Sequence, residues 1–113
     1  MRYFETIFLE EAHEFIEKQN RKTQATILYN IDRASQNNDV TLFKKLRDDI
    51  WEFRIRYEGK QIRLLAFWDN QERKKTLVVA TNGFIKKVNE VPQREIEKAI
   101  GLRKKYFLNE KNK

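Results

Sequence analysis

Five basic side chains in the second half of the sequence are spaced so that a sheet would bring them together. Arg54 and Arg56 alternate along one segment, Arg63 interrupts an apolar segment, and Lys86 and Lys87 follow a third. The planar guanidinium of arginine matches the oxygens of a phosphate group, and lysine adds a point charge. If the three segments are neighbouring strands, the five cations converge on one side of the sheet, where they would bind phosphates.

Arg63 is the cation least easily explained as an ordinary solvated residue. It stands alone within the apolar residues 62–67, and a charge in such a place needs a partner or an anionic ligand. Glu52 is a candidate partner, so a structural ion pair between Glu52 and Arg63 is the alternative to a phosphate site. For the lysines elsewhere, including those of the C-terminal tail, a solvated surface is a sufficient explanation.

The composition excludes several kinds of catalytic site. The 113 residues include no cysteine, one histidine (His13), one serine (Ser35) and three scattered glycines. Thiolate catalysis, a serine–histidine pair, a zinc site and a glycine-rich phosphate loop therefore lack their residues. We expect no metal site and no cofactor.

The positive charge is concentrated in the second part of the chain. Residues 1–40 hold five Lys/Arg and seven Asp/Glu, whereas residues 41–113 hold nineteen and ten, within an overall charge of +7. This asymmetry favours a nucleic acid over an anionic membrane as the partner; a basic surface that only keeps the domain soluble is the alternative. Because no segment approaches the roughly 18–20 apolar residues of a membrane span, we expect a cytoplasmic protein with no membrane partner.

Hydrophobic periodicity predicts the strands that carry these cations. Residues 51–57 alternate apolar and polar side chains, as in a half-buried strand. Residues 58–60 predict a hairpin turn, and residues 61–68 the returning strand. The continuous apolar run at residues 77–80 is typical of a strand covered on both faces.

The remaining elements complete a single domain over residues 1–113. Residues 2–8 predict a strand, and helices are predicted from about Glu10 and from about Thr23. Gly83 is expected to end the third strand of the hairpin region and to open a loop, and Pro92 to begin a final helix. The predicted fold is α+β: an N-terminal strand and a helical hairpin packed on a small antiparallel sheet with a C-terminal helix.

In their order and spacing, several motifs resemble the phage-derived, HigB-like branch of the RelE toxin superfamily. They are Trp51-Glu52-Phe53-Arg54, Arg63 within residues 62–67, Asn82-Gly83-Phe84-Ile85-Lys86-Lys87, Pro92 and the helical residues 95–99, with residues 43–46 before them. The resemblance covers most of the chain and is weakest over residues 1–40. It implies a RelE-like fold. The sequence departs from the family pattern at Ile62, where an aromatic residue is usual, and at Glu90, which lowers the positive charge after the lysines.

The resemblance also implies a function. Proteins of this kind are toxins of type II toxin–antitoxin pairs that inhibit translation as mRNA interferases, which are metal-independent endoribonucleases acting on mRNA in the ribosomal A site. The implied partners are mRNA on the ribosome and a cognate antitoxin, typically a small helix-turn-helix protein. By position, Arg54 and Arg63 resemble the strand cations that hold the scissile phosphate, Lys86 and Lys87 the cations beside them, and Tyr106 a C-terminal aromatic residue that stacks on a base.

The chemistry of metal-free RNA cleavage adds one residue. The 2′-hydroxyl attacks its own phosphate, which requires a base, stabilisation of the growing charge and an acid. Arginine and lysine supply the stabilisation but are poor bases near pH 7, so Glu52, on the strand face of Arg54, is the candidate base. The predicted catalytic residues are Arg54, Arg63, Lys86 and Glu52, and the predicted RNA-binding residues are Arg56, Lys60, Lys87 and Tyr106.

Because no residue is an evident general base, a second function stays open. The chain would then be a non-catalytic RNA-binding or antitoxin-binding module, such as an inactive toxin relic. A structural domain with a merely basic surface is the weakest explanation, since it gives Arg63 no role.

Overall fold

The computed structural model describes residues 2–70, 76–87 and 89–111. Its elements are one strand, two helices, four strands and one helix. They are β1 (Glu5–Phe8), α1 (Glu10–Glu17), α2 (Arg21–Gln36), β2 (Phe43–Arg47), β3 (Ile50–Tyr57), β4 (Lys60–Asp69), β5 (Leu77–Lys86) and α3 (Gln93–Lys111). The sequence analysis predicted this α+β order and located three of the four later strands, but it assigned no strand to residues 43–47. Helix α2 begins before the predicted Thr23 because Asn20 caps it, accepting the Thr23 backbone N–H through its side-chain oxygen at 2.8 Å.

The five strands form one sheet in the order β1-β5-β4-β3-β2. From β2 to β5 each strand pairs antiparallel with the next, as predicted, but β1 lies at the edge, parallel to β5. The sequence analysis predicted an N-terminal strand packed on a small antiparallel sheet and did not predict that this strand joins the sheet in parallel. A parallel pair needs a long crossover, and the chain from α1 to β4 supplies it, a relation that local periodicity does not encode.

Gly83 lies inside β5 and does not end it. The strand continues to Lys86, which pairs with Gln61 of β4, so the predicted loop at residues 84–87 is strand up to Lys86. A Cβ on Gly83 would lie 2.4 Å from the ring of Phe15 in α1. The glycine therefore permits close packing of α1 on the sheet, and Lys86 is held by strand pairing rather than by a loop.

The turn between β3 and β4 fixes their register. Glu58 and Gly59 have φ angles of 49° and 76°, and two positive φ values in a row match the two-residue hairpin turn whose twist suits paired strands. The predicted turn at residues 58–60 is thus confirmed. Its consequence for the site is that Arg54 of β3 lies directly opposite Arg63 of β4.

Each face of the sheet carries its own hydrophobic core. Helices α1 and α2 cover one face, where Ile27, Phe53 and Leu64 are buried together. Helix α3 covers the other face, where Phe67 packs with Val79 and with the helix itself. The α3 core includes side chains from only one end of β3 and β4, so the opposite end of that face is left for polar residues.

Candidate nucleic-acid interface

Four of the predicted cations lie together on the face of the sheet that carries α3. Arg54 is opposite Arg63, and Arg56 is opposite Gln61, whose neighbour on the other side is Lys86. Because side chains alternate along a strand, these residues point to the same side in two adjacent rows across β3, β4 and β5. We call Arg54, Arg56, Arg63 and Lys86 the cation face.

The members of the cation face differ in how far they reach solvent. Arg56 is exposed, and Arg54 and Lys86 are half-buried. Arg63 is only 3% exposed and lies at the floor of the group. A ligand would therefore touch Arg54, Arg56 and Lys86 directly and would sense Arg63 mainly as a fixed charge beneath them.

The guanidinium of Arg63 is held on three sides. Its Nε lies 2.9 Å from Oε1 of Glu52, its Nη1 donates to the carbonyl of Ile62 at 3.2 Å, and its Nη2 donates to Oε1 of Gln61 at 3.1 Å. Glu52 is 5% exposed. The ion pair that the sequence offered as an alternative is present, and burial of both partners makes each necessary to the other.

The electrostatics of Arg63 show both this pairing and the crowding of like charges. Burial lowers the pKa of its guanidinium below the ordinary value, Glu52 opposes that change, and Arg54 and Arg56 lower the pKa further. Arginine stays protonated near neutral pH even so. Like charges directly opposite on paired strands are destabilising, and an anion bound at the cation face would relieve the repulsion.

Glu52 lies on the strand face of Arg54, as predicted. Its carboxylate is engaged with Arg63 and is buried. In this position it holds and neutralises Arg63. A proton-accepting role for Glu52 requires that the 2′-hydroxyl of a substrate reach this buried carboxylate.

The two other predicted RNA-binding lysines do not belong to the cation face. Lys87 is exposed directly after β5. Lys60 is exposed at the start of β4 and pairs with Tyr57. Strand alternation assigns Lys60 to the face of Ile62, opposite to that of Arg63.

Tyr106 lies at the other end of the sheet. Its ring packs on Phe67 at a centroid distance of 5.3 Å, and its hydroxyl donates to Oδ2 of Asp69 at 2.7 Å. Four to six residues along a strand separate these contacts from Arg63, a distance of about 13–20 Å. The structure thus does not bring Tyr106 to the cation face.

Neither a membrane-spanning helix nor a metal-binding group occurs in the described part of the chain. None of its helices has the length and apolar character to cross a membrane. No three His, Asp or Glu side chains among residues 2–70, 76–87 and 89–111 form a group that could hold a metal ion.

A comparison with models of known protein families shows the family of this chain. The model of the phage-derived Gp49-like proteins matches residues 14–104, which include all of the cation face. The chain belongs to the Gp49-like family. This is a family of RelE-like, toxin-type proteins that is associated with toxin–antitoxin pairs. No curated protein sequence matches the chain.

Part of the motif at residues 82–87 has a structural role in this Gp49-like protein. Asn82 donates from Nδ2 to Oε1 of Glu95 at 3.0 Å, which ties β5 to the first turn of α3. Gly83 admits Phe15, and Phe84 is buried in the α3 core. These three residues therefore support the architecture, and Lys86 carries the charge to the interface.

The structure adds residues that the sequence analysis of this Gp49-like chain missed. Asn30 and Arg33 of α2, together with Thr41, line an open pocket of about 510 Å³ with the three arginines of the cation face. The sequence analysis assigned no functional residue to helix α2. Periodicity separates its apolar side from its polar side, but it does not show which polar residues lie at the edge of a sheet.

Proposed function

We propose that this chain is the toxin of a type II toxin–antitoxin pair, of the HigB-like branch, and acts as a ribosome-dependent endoribonuclease that inhibits translation by cutting mRNA. The observation that carries the proposal is the cation face of a toxin-family domain. Arg54, Arg56 and Lys86 flank the buried charge of Arg63 in one place, which α3 leaves uncovered.

The cation face suits the charge that develops during cleavage. The 2′-hydroxyl oxygen forms a bond to the adjacent phosphorus, the bond to the 5′-oxygen breaks, and the proton lost by the 2′-hydroxyl is balanced by one gained at the 5′-oxygen. Arg54 and Lys86 bind the non-bridging oxygens of the scissile phosphate, and Arg56 contacts the neighbouring nucleotide. Fixed donors aimed at developing negative charge are among the largest contributions to catalysis, about 100-fold or more for one donor.

Arg63 and Glu52 have distinct parts in this proposal. Arg63 supplies a permanent positive charge below the phosphate, and Glu52 fixes the guanidinium through their 2.9 Å contact. Glu52 remains the candidate base, since it is a carboxylate on the same strand face as Arg54. A base role for Glu52 means that the bound substrate must draw it partly away from Arg63.

The ribosome supplies what the small domain lacks. Cleavage requires the 2′-hydroxyl to lie in line with the phosphorus–oxygen bond that breaks, and such orientation is worth about 7–11 kcal/mol in favourable cases. Binding of phosphates by the cation face does not by itself set this geometry. mRNA held in the ribosomal A site would meet the cation face already oriented.

The antitoxin is proposed to cover the same residues. A small helix-turn-helix protein with an acidic or extended segment would complement Arg54, Arg63 and Lys86, because opposite charges steer such pairs together. Charge reversal at Arg54 and Lys86, which leaves the buried pair of Arg63 and Glu52 intact, should weaken complex formation. Pairing that is indifferent to both reversals would place the antitoxin elsewhere.

A non-catalytic RNA-binding or antitoxin-binding module is the second candidate. It is favoured by one observation, the contact of Glu52 with Arg63, because this contact occupies the carboxylate that is the candidate base.

One assay separates the two candidates. Purified protein is mixed with mRNA on programmed ribosomes and, in parallel, with the same mRNA alone, and cut sites are mapped by primer extension. We expect clear cleavage on ribosomes, little on free RNA, and no effect of EDTA at concentrations that leave ribosomes intact. RNA binding without cleavage in either mixture would establish the non-catalytic module instead.

A further inference from the structure

Helix α2 contributes to the open pocket at the edge of strand β3 that faces away from β4. Strand β2 begins at Phe43, which pairs with Phe53, so β3 runs on past its neighbour. On that edge, the backbone N–H of Arg54 still donates a hydrogen bond to the carbonyl of Leu42 at 2.8 Å. Beyond it, the polar side of α2 meets the exposed edge of β3. The polar residues lining the pocket there are Asn30, Arg33, Thr41, Arg54, Arg56 and Arg63.

The pocket collects positive charge that is neutralised only in part, since Glu52 pairs with Arg63 but does not line the pocket. Four of its lining residues are arginines, and among the described residues that line it there is no carboxylate. The nearby carboxylate of Asp39 is occupied, since the backbone N–H and hydroxyl of Thr41 donate to its Oδ1 at 2.8 and 2.7 Å. Those bonds are the main reason that the pKa of Asp39 is lowered, and Arg33 is the smallest of its causes. Arg33 acts on Asp39 through its charge, but no ion pair joins these two residues in the described part of the chain.

Beside Arg33 stands an exposed ring. The guanidinium carbon of Arg33 lies 5.8 Å from the ring centroid of Tyr29, and Tyr29 is 63% exposed. An arginine next to a solvent-facing aromatic ring is a combination that binds phosphate and base of a single strand together. The pocket volume of about 510 Å³ lies within the range of about 300–1,000 Å³ that is usual for ligand sites.

We infer that this pocket is a second phosphate subsite for single-stranded RNA, in which Arg33 binds a phosphate next to the one on the cation face. Tyr29, which lies beside Arg33 and outside the lining of the pocket, stacks on a base. The inference rests on the proposed function for its substrate class. Arg54, Arg56 and Arg63 link the two subsites, since all three belong to the cation face and line the pocket. The RNA strand passes from the cation face over the free edge of β3 to α2.

The test measures binding apart from cleavage. The probe is a fluorescein-labelled, 2′-O-methylated hexanucleotide, which binds but offers no nucleophile. Its affinity is measured by fluorescence anisotropy over a series of salt concentrations for the wild type, for Arg33→Gln and for Arg21→Gln. Arg21 is an exposed arginine at the start of the same helix, outside the lining of the pocket, and serves as the matched control.

We expect Arg33→Gln to lower the slope of log affinity against log salt by about 0.7, the contribution of one phosphate on a single strand. Affinity at low salt should fall about tenfold, as for one charge-assisted hydrogen bond. Tyr29→Ala should weaken binding with an unchanged slope, and Arg21→Gln should match the wild type. Equal slopes for Arg33→Gln and Arg21→Gln would overturn the inference, as would failure of the wild type to bind the probe.

A 5′-mononucleotide distinguishes a subsite for RNA from a site for a free nucleotide. Its affinities for Arg33→Gln and for the wild type should agree within twofold, because a ligand with a single phosphate binds preferentially at the cation face. A loss as large as that of the hexanucleotide would show a free-nucleotide site and contradict the subsite. If the wild type fails to cleave mRNA on ribosomes while the slope still changes, the proposed nuclease is wrong and the subsite stands.

Discussion

The face of the sheet that carries α3 has two halves, one covered by α3 and one open. Both are built from the same strands, but their functions differ. In the covered half, Ile50 of β3 and Phe67 of β4 are buried beneath α3. In the open half, the same two strands present Arg54 and Arg63. Alternate side chains of β3 and of β4 point to the same side of the sheet. A change of residue type along that side is therefore enough to turn a hydrophobic core into an anion-binding surface.

The boundary between the halves carries a polar residue on each of the two strands that flank β4, Glu52 on β3 and Asn82 on β5. Glu52 is paired in register with Leu65, and Leu65 with Asn82. Glu52 binds Arg63 in the open half, and Asn82 binds Glu95 of α3 in the covered half. The boundary therefore joins the stability of the fold to the position of the site, and substitutions on its two sides should have different effects.

The largest effect is expected in the covered half. Phe67→Ala removes a fully buried ring that packs on Phe107 at 5.4 Å and on Tyr106, and should lower the free energy of unfolding by about 3–5 kcal/mol. Urea denaturation measures it. Leu108→Ala, at an exposed position of α3, is the control and should stay within about 0.5 kcal/mol of the wild type. A loss below 1 kcal/mol for Phe67→Ala would contradict the division into halves.

At the boundary, Glu52→Gln should cost about 3 kcal/mol, because it leaves the buried charge of Arg63 without its counter-charge. The double variant Glu52→Leu with Arg63→Met removes both charges and should recover most of that stability. Denaturation curves of the single and double variants form the comparison. Equal destabilisation of both would mean that packing, and not charge, is what the pair provides.

In the open half, Arg54→Gln should leave the free energy of unfolding within about 0.5 kcal/mol, since it removes a half-buried charge that repels Arg63. The same variant should reduce the salt slope of single-stranded RNA binding by about 0.7. Anisotropy and denaturation on one protein preparation give both values. Destabilisation without a change in slope would assign Arg54 to the fold.

The smallest effect is expected for Lys60→Gln. Strand alternation places Lys60 on the opposite face from the cation face, so RNA affinity should change less than twofold. Lys86→Gln, the matched lysine on the cation face, should lose affinity with the slope change expected for Arg54→Gln. Similar losses for the two lysines would show that general charge, and not the cation face, determines binding.

The sequence predicted those parts of the site that depend on local pattern. The alternation at residues 51–57 and the turn at Glu58-Gly59 are enough to put Arg54 and Arg63 in adjacent places, and both features are confirmed. The interruption of an apolar strand by Arg63 correctly pointed to a paired or ligand-bound charge.

Features that depend on distant contacts were not predictable in this way. Gly83 was expected to end a strand because glycine often does, but its role follows from the ring of Phe15 some 70 residues earlier in the chain. The parallel pairing of β1 and the arrival of Arg33 at the edge of β3 likewise depend on how α1 and α2 cross the sheet. Local residue types carry no signal for either.

Single-turnover cleavage of mRNA on programmed ribosomes by Arg54→Gln, with Arg21→Gln as the control, tests the central claim most directly. If the open half is the cleaving surface, Arg54→Gln should cut mRNA about 100-fold more slowly than the wild type. Arg21→Gln should cut at the wild-type rate. Both variants should unfold at the same denaturant concentration as the wild type. Equal cleavage rates for Arg54→Gln and Arg21→Gln, with both proteins folded, would contradict the assignment of the cation face to RNA cleavage.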